Sequence, residues 1–332
     1  VTAPHLSPSG QPLTSYRGQF WIPGDPVAQP HGTAHKGPLF VEWEVQDPHT
    51  TKPALVLVHG GGGQGTDWLG TVDGKPGWAH YFVKAGYPVY VVDRVGHGRS
   101  PYHPDVIGEM GGAFPYEAAV GLFTPPDRAE QQTQWLWGRE PGDEGMDQLV
   151  AGFGPLPADL GYSQELDADR LSKLLDKIGP AILVTHSAGG PVGWVTADRR
   201  PDLVKAIVAL EPLGPEFVEF PGMGTLDWGL TAAQLTFDPP LDSPEAVRSA
   251  APEQRRIPAL AGKDVVVVAG GASVFADFAP QIVESLNNAG AHAEYIYLPD
   301  RGVAGNGHAV QLEANAAESV QPVLEWLETR AT

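Results

Sequence analysis

Three short stretches of this 332-residue chain carry residue types that can do chemistry together. The first is T-H-S-A-G-G, in which Ser187 follows the apolar run AILVTH and precedes the helical pattern GGPVGWVTADRR. A serine at such a strand-to-helix corner is lifted above its sheet, and small neighbours let the chain turn sharply enough to expose the oxygen. The usual form of this corner, G-x-S-x-G, has glycine two residues before the serine; here Thr185 stands there, and its β-branch needs room from neighbouring elements. The second stretch is G-N-G-H, ending at His308, beyond the last apolar run and before the last helical one, where an imidazole can fold back to take the serine proton. Alone, Ser187 reads as a helix cap and His308 as a surface histidine. A serine corner followed by a histidine in that chain position is far more specific, and it points to a nucleophile and its general base. Neutral His308 then has to accept the proton, so activity is expected to fall near pH 6 to 7 for an unperturbed imidazole.

An acid must orient that imidazole. The common location, the turn after the next-to-last strand, reads AGGASVFAD; no acid stands at the turn, and Asp277 comes later, inside an expected helix. The strand before it ends VALEP, which puts Glu211 at a strand C-terminus. Glu211 is the favoured acid and Asp277 the reserve. The third stretch, H-G-G-G-G from His59, follows the strand LVLV. Backbone N–H groups stabilise an acyl oxyanion, and Ala188 at the helix start supplies one, with Gly61 or Gly62 supplying the other. Gly60, Gly62 and Gly65 also satisfy G-x-G-x-x-G, but the segment after them reads as loop and no acid ends the next strand at the right offset, so a dinucleotide site is not expected. The histidines are scattered, with no H-E-x-x-H, and His31 with His35 lies in a Gly/Pro-rich loop. No metal and no cofactor is expected.

Eight apolar runs bounded by Gly, Pro or Asp supply the strands that must position these residues: SYRGQFWI, PLFVEWEV, ALVLVHG, YPVYVVD, AILVTHS, KAIVALE, DVVVVAG and AEYIYLPD. Between the later ones lie GWAHYFVKAG, ELDADRLSKLLDKIG, GGPVGWVTADRR and FAPQIVESLNNAG, with ANAAESVQPVLEWLETR at the end. Leu166, Leu171, Leu174, Leu175 and Ile178 share one helical face, stopped by Gly179-Pro180. Strands alternating with such helices predict an α/β fold with a mostly parallel sheet covered on both faces, in one domain over residues 1–332. Two segments interrupt the alternation, residues 100–163 and 212–262. The first carries Phe114, Tyr116, Phe123, Trp135, Trp137 and Phe153, the second Phe217, Phe220, Trp228 and Phe237. Both follow strands whose C-terminal ends share the ligand-binding edge of an open sheet, and they are read as a lid. Most of these aromatics are expected to form the insertions' own small core rather than to touch substrate.

Composition narrows the partners. Forty acidic against twenty-one basic residues give a formal charge of −19, which repels phosphate backbones, so nucleic acid is not an expected partner. There is no cysteine, hence no disulfide and no thiolate nucleophile. No apolar run approaches the roughly 18 residues of a membrane span. The sequence opens at Val1 with the Pro/Ser-rich VTAPHLSPSGQPL, expected to emerge as a loop and suited to a processed N-terminus. A secreted or periplasmic location fits that opening, the cytoplasm being the alternative, and a homodimer stays open.

HGGGG, DRVGHGRSP, THSAGG and GNGH occur here in the order of the α/β-hydrolase superfamily, from about Leu39 to the C-terminus. Within it the chain resembles a smaller group of bacterial and fungal esterase-like hydrolases, often secreted. In that group T-H-S replaces G-x-S, Glu-Pro ends the strand after the nucleophile helix, and G-N-G-H is followed by L-E-x-N. The corresponding residues are Thr185 to Ser187; Glu211 and Pro212; Gly305 to His308; and Leu312, Glu313 and Asn315. The resemblance accommodates Thr185, favours Glu211 as the acid, and implies that Gly61 and Gly62 line the oxyanion hole. Some members carry paired cysteines at those two positions; this sequence does not. The expectation is a serine hydrolase cleaving small-molecule or polymeric carboxylic esters through Ser187, His308 and Glu211. Lactonase, amidase, carbon–carbon bond hydrolase and perhydrolase chemistry share such a triad, and a catalytically inactive hydrolase fold used for binding is the alternative of a different class.

Overall fold

A computed structural model describes residues 9, 11–221 and 223–330. Most of the expected N-terminal loop therefore lies outside the described residues. The eight apolar runs are the eight strands of one sheet: β1 (Tyr16–Ile22), β2 (Leu39–Val45), β3 (Ala54–Val58), β4 (Val89–Asp93), β5 (Ala181–His186), β6 (Val204–Leu210), β7 (Asp264–Ala269) and β8 (His292–Tyr297). They lie in the order β1-β2-β4-β3-β5-β6-β7-β8. Strand β2 is antiparallel to both its neighbours, and the pairings from β4 to β8 are parallel. The parallel strands thus end together at one edge.

Alternation of side chains along each strand builds two cores, because successive residues point to opposite faces. Val56, Val58, Leu183, Ile207, Ala209, Val265 and Val267 face one side, and Leu55, Leu57, Ile182, Val184, Val208, Leu210, Val266 and Val268 the other. The first face is covered by α2 (Leu160–Ile178), α3 (Gly189–Arg199) and α4 (Ala279–Asn288), through residues such as Leu171, Leu174, Trp194 and Ile282. The second is covered by α1 (Trp78–Lys84) and α5 (Gln321–Arg330), through Trp78, Phe82, Val323 and Leu327. Each such side chain removed from water contributes about 1.5–3 kcal/mol, which is what holds these short strands in register. Helix α2 starts five residues before the periodic pattern suggests, because Asp159 caps it by accepting the Tyr162 N–H at 2.9 Å.

Three small sheets escape the periodicity. The Gly/Pro-rich stretch of His31 and His35, expected as a loop, belongs to a hairpin of Asp25–Gln29 with Gly32–Lys36, which puts His35 on a strand. In the first insertion Met110–Ala113 pairs with Pro155–Pro157, and in the second Glu219–Phe220 pairs with Gly224–Thr225. The GTDWLG stretch, expected as loop, contains a 3-10 turn, Gly65–Trp68, whose Gly65 N–H donates to Asp93 at 2.6 Å.

Candidate active site

The chain reverses between the end of β5 at His186 and the start of α3 at Gly189, and Ser187 forms the corner with φ at 52°. A left-handed backbone costs a residue with a β-carbon about 1–2 kcal/mol, so its surroundings must impose it. They do so through the main chain: Ser187 N–H donates to Leu210 C=O at 3.1 Å, and Ser187 C=O accepts from Gly190 and Leu213, both at 2.9 Å. The two glycines after the corner are sterically required. A β-carbon on Gly189 would lie 2.7 Å from the His59 carbonyl oxygen, and one on Gly190 would lie 2.6 Å from Pro212 Cβ. Thr185 finds its room one helical turn further on, where a β-carbon on Gly193 would come within 3.0 Å of the threonine methyl. Its buried hydroxyl has no hydrogen-bond partner.

Ser187, His308 and Glu211 meet at this corner. The serine hydroxyl lies 3.0 Å from His308 Nε2, and His308 Nδ1 lies 2.5 Å from Glu211 Oε2. Glu211 follows β6 as Ser187 follows β5 and is also left-handed, with φ at 46°. Its Oε1 accepts from Gly270 N–H at 2.8 Å and its Oε2 from the Ser273 hydroxyl at 2.7 Å. Ser273 Oγ in turn accepts from Phe275 N–H at 3.1 Å, so its proton is directed at Glu211. Burial pushes the Glu211 carboxyl up to about 8, but the Gly270 N–H and the Ser273 hydroxyl donate to it, which favours the ionised form. His308 then carries its proton on Nδ1 and leaves Nε2 free to accept from Ser187. Its ring is stacked on Phe275 at 3.9 Å between centroids, with Phe123 and His186 also against it. Burial among them pushes the imidazole below its ordinary range. Asp277, the reserve acid, lies in a 3-10 turn, largely exposed and paired with Arg128.

The H-G-G-G-G loop faces the serine. Arg94 N–H donates to His59 Nε2 and His59 Nδ1–H to the Gly60 carbonyl, each at 2.8 Å. Arg94 is fixed by a buried ion pair with Asp167 at 2.8 Å. Gly61 lines a cavity with Ser187 and Ala188, as do Gly60 and Gly63. Gly62 is not on that wall: it turns with φ at 69°, and its carbonyl accepts from Gly154 N–H of the first insertion at 2.7 Å. The cavity measures about 150 Å³. Phe114, Phe123, Phe153 and Leu156 of the first insertion and Leu213, Phe220 and Met223 of the second give it apolar walls. Of the remaining insertion aromatics, Tyr116, Trp135 and Trp137 lie in a cluster of the first insertion's own, as expected, whereas Phe217, Trp228 and Phe237 pack into the main core on one face of the sheet.

Three polar residues are given no role by sequence reasoning. His186 receives the Gln311 amide on Nδ1 at 3.2 Å and so donates from Nε2 to the His308 carbonyl at 3.0 Å. Glu313 bonds the Gly307 N–H next to His308. Asp67 lines the cavity and is pushed up to about 7, chiefly by burial. The T-H-S and L-E-x-N motifs contain the first two, and only their distant partners reveal what they do. Among the described residues no group of three or more His, Asp or Glu is arranged to hold a metal, and no helix is long and apolar enough to cross a membrane.

A mostly parallel sheet whose strand ends carry a left-handed serine, an acid and a folded-back histidine defines the α/β-hydrolase class, and this chain belongs to the alpha/beta hydrolase fold family, whose sequence profile matches residues 53–266. It is a hydrolase of lipase or esterase kind. It is 35% identical over 319 residues to a probable secreted lipase from a fungal species (strain ATCC 74256), covering 87% of this chain and 85% of the relative. A bacterial esterase has the same fold, with a TM-score of 0.73 at 24% identity, over 98% of this chain and 99% of the other. A CIB-like hydrolase from Thermoplasma acidophilum matches with a TM-score of 0.50 at 16% identity, over 95% and 100% of the two chains.

Proposed function

We propose that this protein is a secreted serine esterase that hydrolyses carboxylic esters of small apolar acids by a two-step acyl transfer. The observation that carries this reading is His308, whose ring is bonded to Ser187 Oγ on one side and to Glu211 on the other. As the serine oxygen bonds the ester carbonyl carbon, its proton passes to His308 Nε2, and Glu211 stabilises the imidazolium. The N–H groups of Ala188 and Gly61 receive the oxyanion. The carbon–oxygen bond to the alcohol breaks, the alcohol leaves with the proton from His308, and an acyl-enzyme remains. Water then gives its proton to His308, attacks the acyl carbon, and frees the acid and Ser187.

The apolar walls support a hydrocarbon acyl group, and a cavity of this size holds about six carbons, as a cavity of about 150 Å³ elsewhere holds benzene. The two insertions act as a cap over it. Asp67, the one carboxylate on the wall among the described residues, disfavours anionic substrates where it is ionised, above about pH 7. The fungal relative's name, a probable secreted lipase, supports ester hydrolysis and the extracellular location. Burst kinetics on p-nitrophenyl acetate, butyrate and laurate, with Ser187→Ala in parallel, test the reading. Butyrate is expected to be the best of the three, and the variant to lose at least about a thousandfold. Equal rates in both proteins, or none in either, overturn it.

A further inference from the structure

Glu313 takes no part in the proton path above, yet its fully buried carboxylate is more than structural filler. It accepts four hydrogen bonds: Gly307 N–H reaches Oε1 at 3.0 Å and Oε2 at 3.1 Å, Gln132 Nε2 reaches Oε1 at 2.7 Å, and Asn306 Nδ2 reaches Oε2 at 2.8 Å. Each partner donates and none offers an acceptor to a carboxyl proton. The group is therefore ionised in place, even though burial pushes it up to about 7. A buried charge without a cation costs several kcal/mol unless hydrogen bonds return it, so four of them on one acid mark a position that the fold maintains at a cost.

The partners say what is maintained. Gly307 is the residue before His308, and Asn306 is locked further by Asn315, with amide bonds of 2.7 and 3.0 Å in the two directions. Gln132 belongs to the first insertion, and its amide also donates to the carbonyl of Phe123, whose ring lies against His308. The two segments touch with no slack, since a β-carbon on Gly307 would lie 2.3 Å from Gln132 Nε2.

We infer that Glu313 is a positioning residue for the general base: its carboxylate clamps the main chain before His308 and, through Gln132, binds the first insertion to the histidine loop, keeping Nε2 on Ser187 Oγ. This rests on the reading of His308 as the base. The part of the first insertion around Gln132 is then a fixed wall, and any opening of the cap has to come from elsewhere. Glu313 also adds negative charge near the imidazolium, which is faced directly by Glu211, His186 and Ser187 and more remotely by Arg128, whose charge acts on Glu211. Glu313 and Glu211 lie close enough for their charges to interact.

The test uses the full chain with Glu313→Gln, Glu313→Asp and Gln132→Leu, followed by steady-state kinetics on p-nitrophenyl butyrate, the pH profile, and the proton NMR signal of the Nδ1 hydrogen shared with Glu211. Glu313→Gln is expected to lower kcat about 10- to 100-fold with KM within about twofold, to move the acid limb to lower pH, and to broaden or shift the shared-proton signal. Glu313→Asp should recover part of the loss, and Gln132→Leu should give a smaller loss with the same spectral change. A Glu313→Gln protein that melts earlier but keeps kcat, the acid limb and the signal overturns the inference. If that variant does not fold, Gln132→Leu decides, and an unchanged signal and kcat again overturn it. The NMR signal is read without turnover, so it separates failure here from failure of the esterase reading, which Ser187→Ala alone decides.

Discussion

Ser187 and Glu211 are held by main chain, whereas His308 is held by side chains. The first two end neighbouring strands in left-handed conformations, and their backbones are tied to Leu210 and Val268 of the sheet itself. His308 lies between Arg301 and Ala316, a stretch with no strand or helix, and its position depends on polar contacts from Glu313, Asn306 and His186. Two of the three residues thus inherit rigidity from a packed core, and the third borrows it from a hydrogen-bond network. The strand-end side should be fragile to added volume and the loop side to altered charge.

The largest effect should come where the two sides join. Glu211→Gln turns one carboxylate oxygen into an amide facing three donors, and kcat should fall about 10³- to 10⁴-fold, while exposed Asp277→Asn stays within about twofold. Steady-state assays on p-nitrophenyl butyrate check both, and the reverse pattern would move the acid to Asp277. Next is volume on the strand-end side. Gly189→Ala drives a methyl into the His59 and Val58 carbonyls, main-chain atoms that cannot turn aside, and should cost about 2–3 kcal/mol in urea unfolding. A cost near zero would mean that the corner is not sterically set. On the loop side, burial lowers the His308 pKa, and since the proposed mechanism needs the neutral imidazole, activity should persist as pH falls through 6.5. The acid limb of kcat/KM, measured from pH 4 to 9, is expected below 6.5; a limb at 6.5 or above would show that Glu211 cancels the effect of burial. The smallest change is Thr185→Val, which removes a buried hydroxyl without a partner. It should leave kcat unchanged and stability equal or up to about 1 kcal/mol higher by thermal and urea unfolding.

The same contrast explains what could be read from the residues. Strands β3 to β8 were legible because buried parallel strands are continuous apolar runs, the antiparallel β1 and β2 by their aromatic and β-branched residues, and Ser187 and Glu211 stand at the ends of β5 and β6. The hairpin at 25–36 and the small sheets of the insertions were not, since their pairing depends on contacts far along the chain. Thr185 was an anomaly until Gly193 supplied the missing space. Gly62 illustrates the limit of motif spacing: a glycine run does not say which of its members line the cavity. Glu313 was visible as a motif letter, but its partner Gln132 lies 181 residues away, and no local pattern joins them.

Among the described residues, the second insertion reaches the cavity with Leu213, Phe220 and Met223, whose apolar side chains cannot take part in the hydrogen-bond network around His308. Under the proposed esterase reading, mutation there changes which acyl groups fit without removing a side-chain hydrogen bond of Ser187, His308 or Glu211. On that reading the fit of the substrate can change without the chemistry, and selection in a library has those three volumes to explore first.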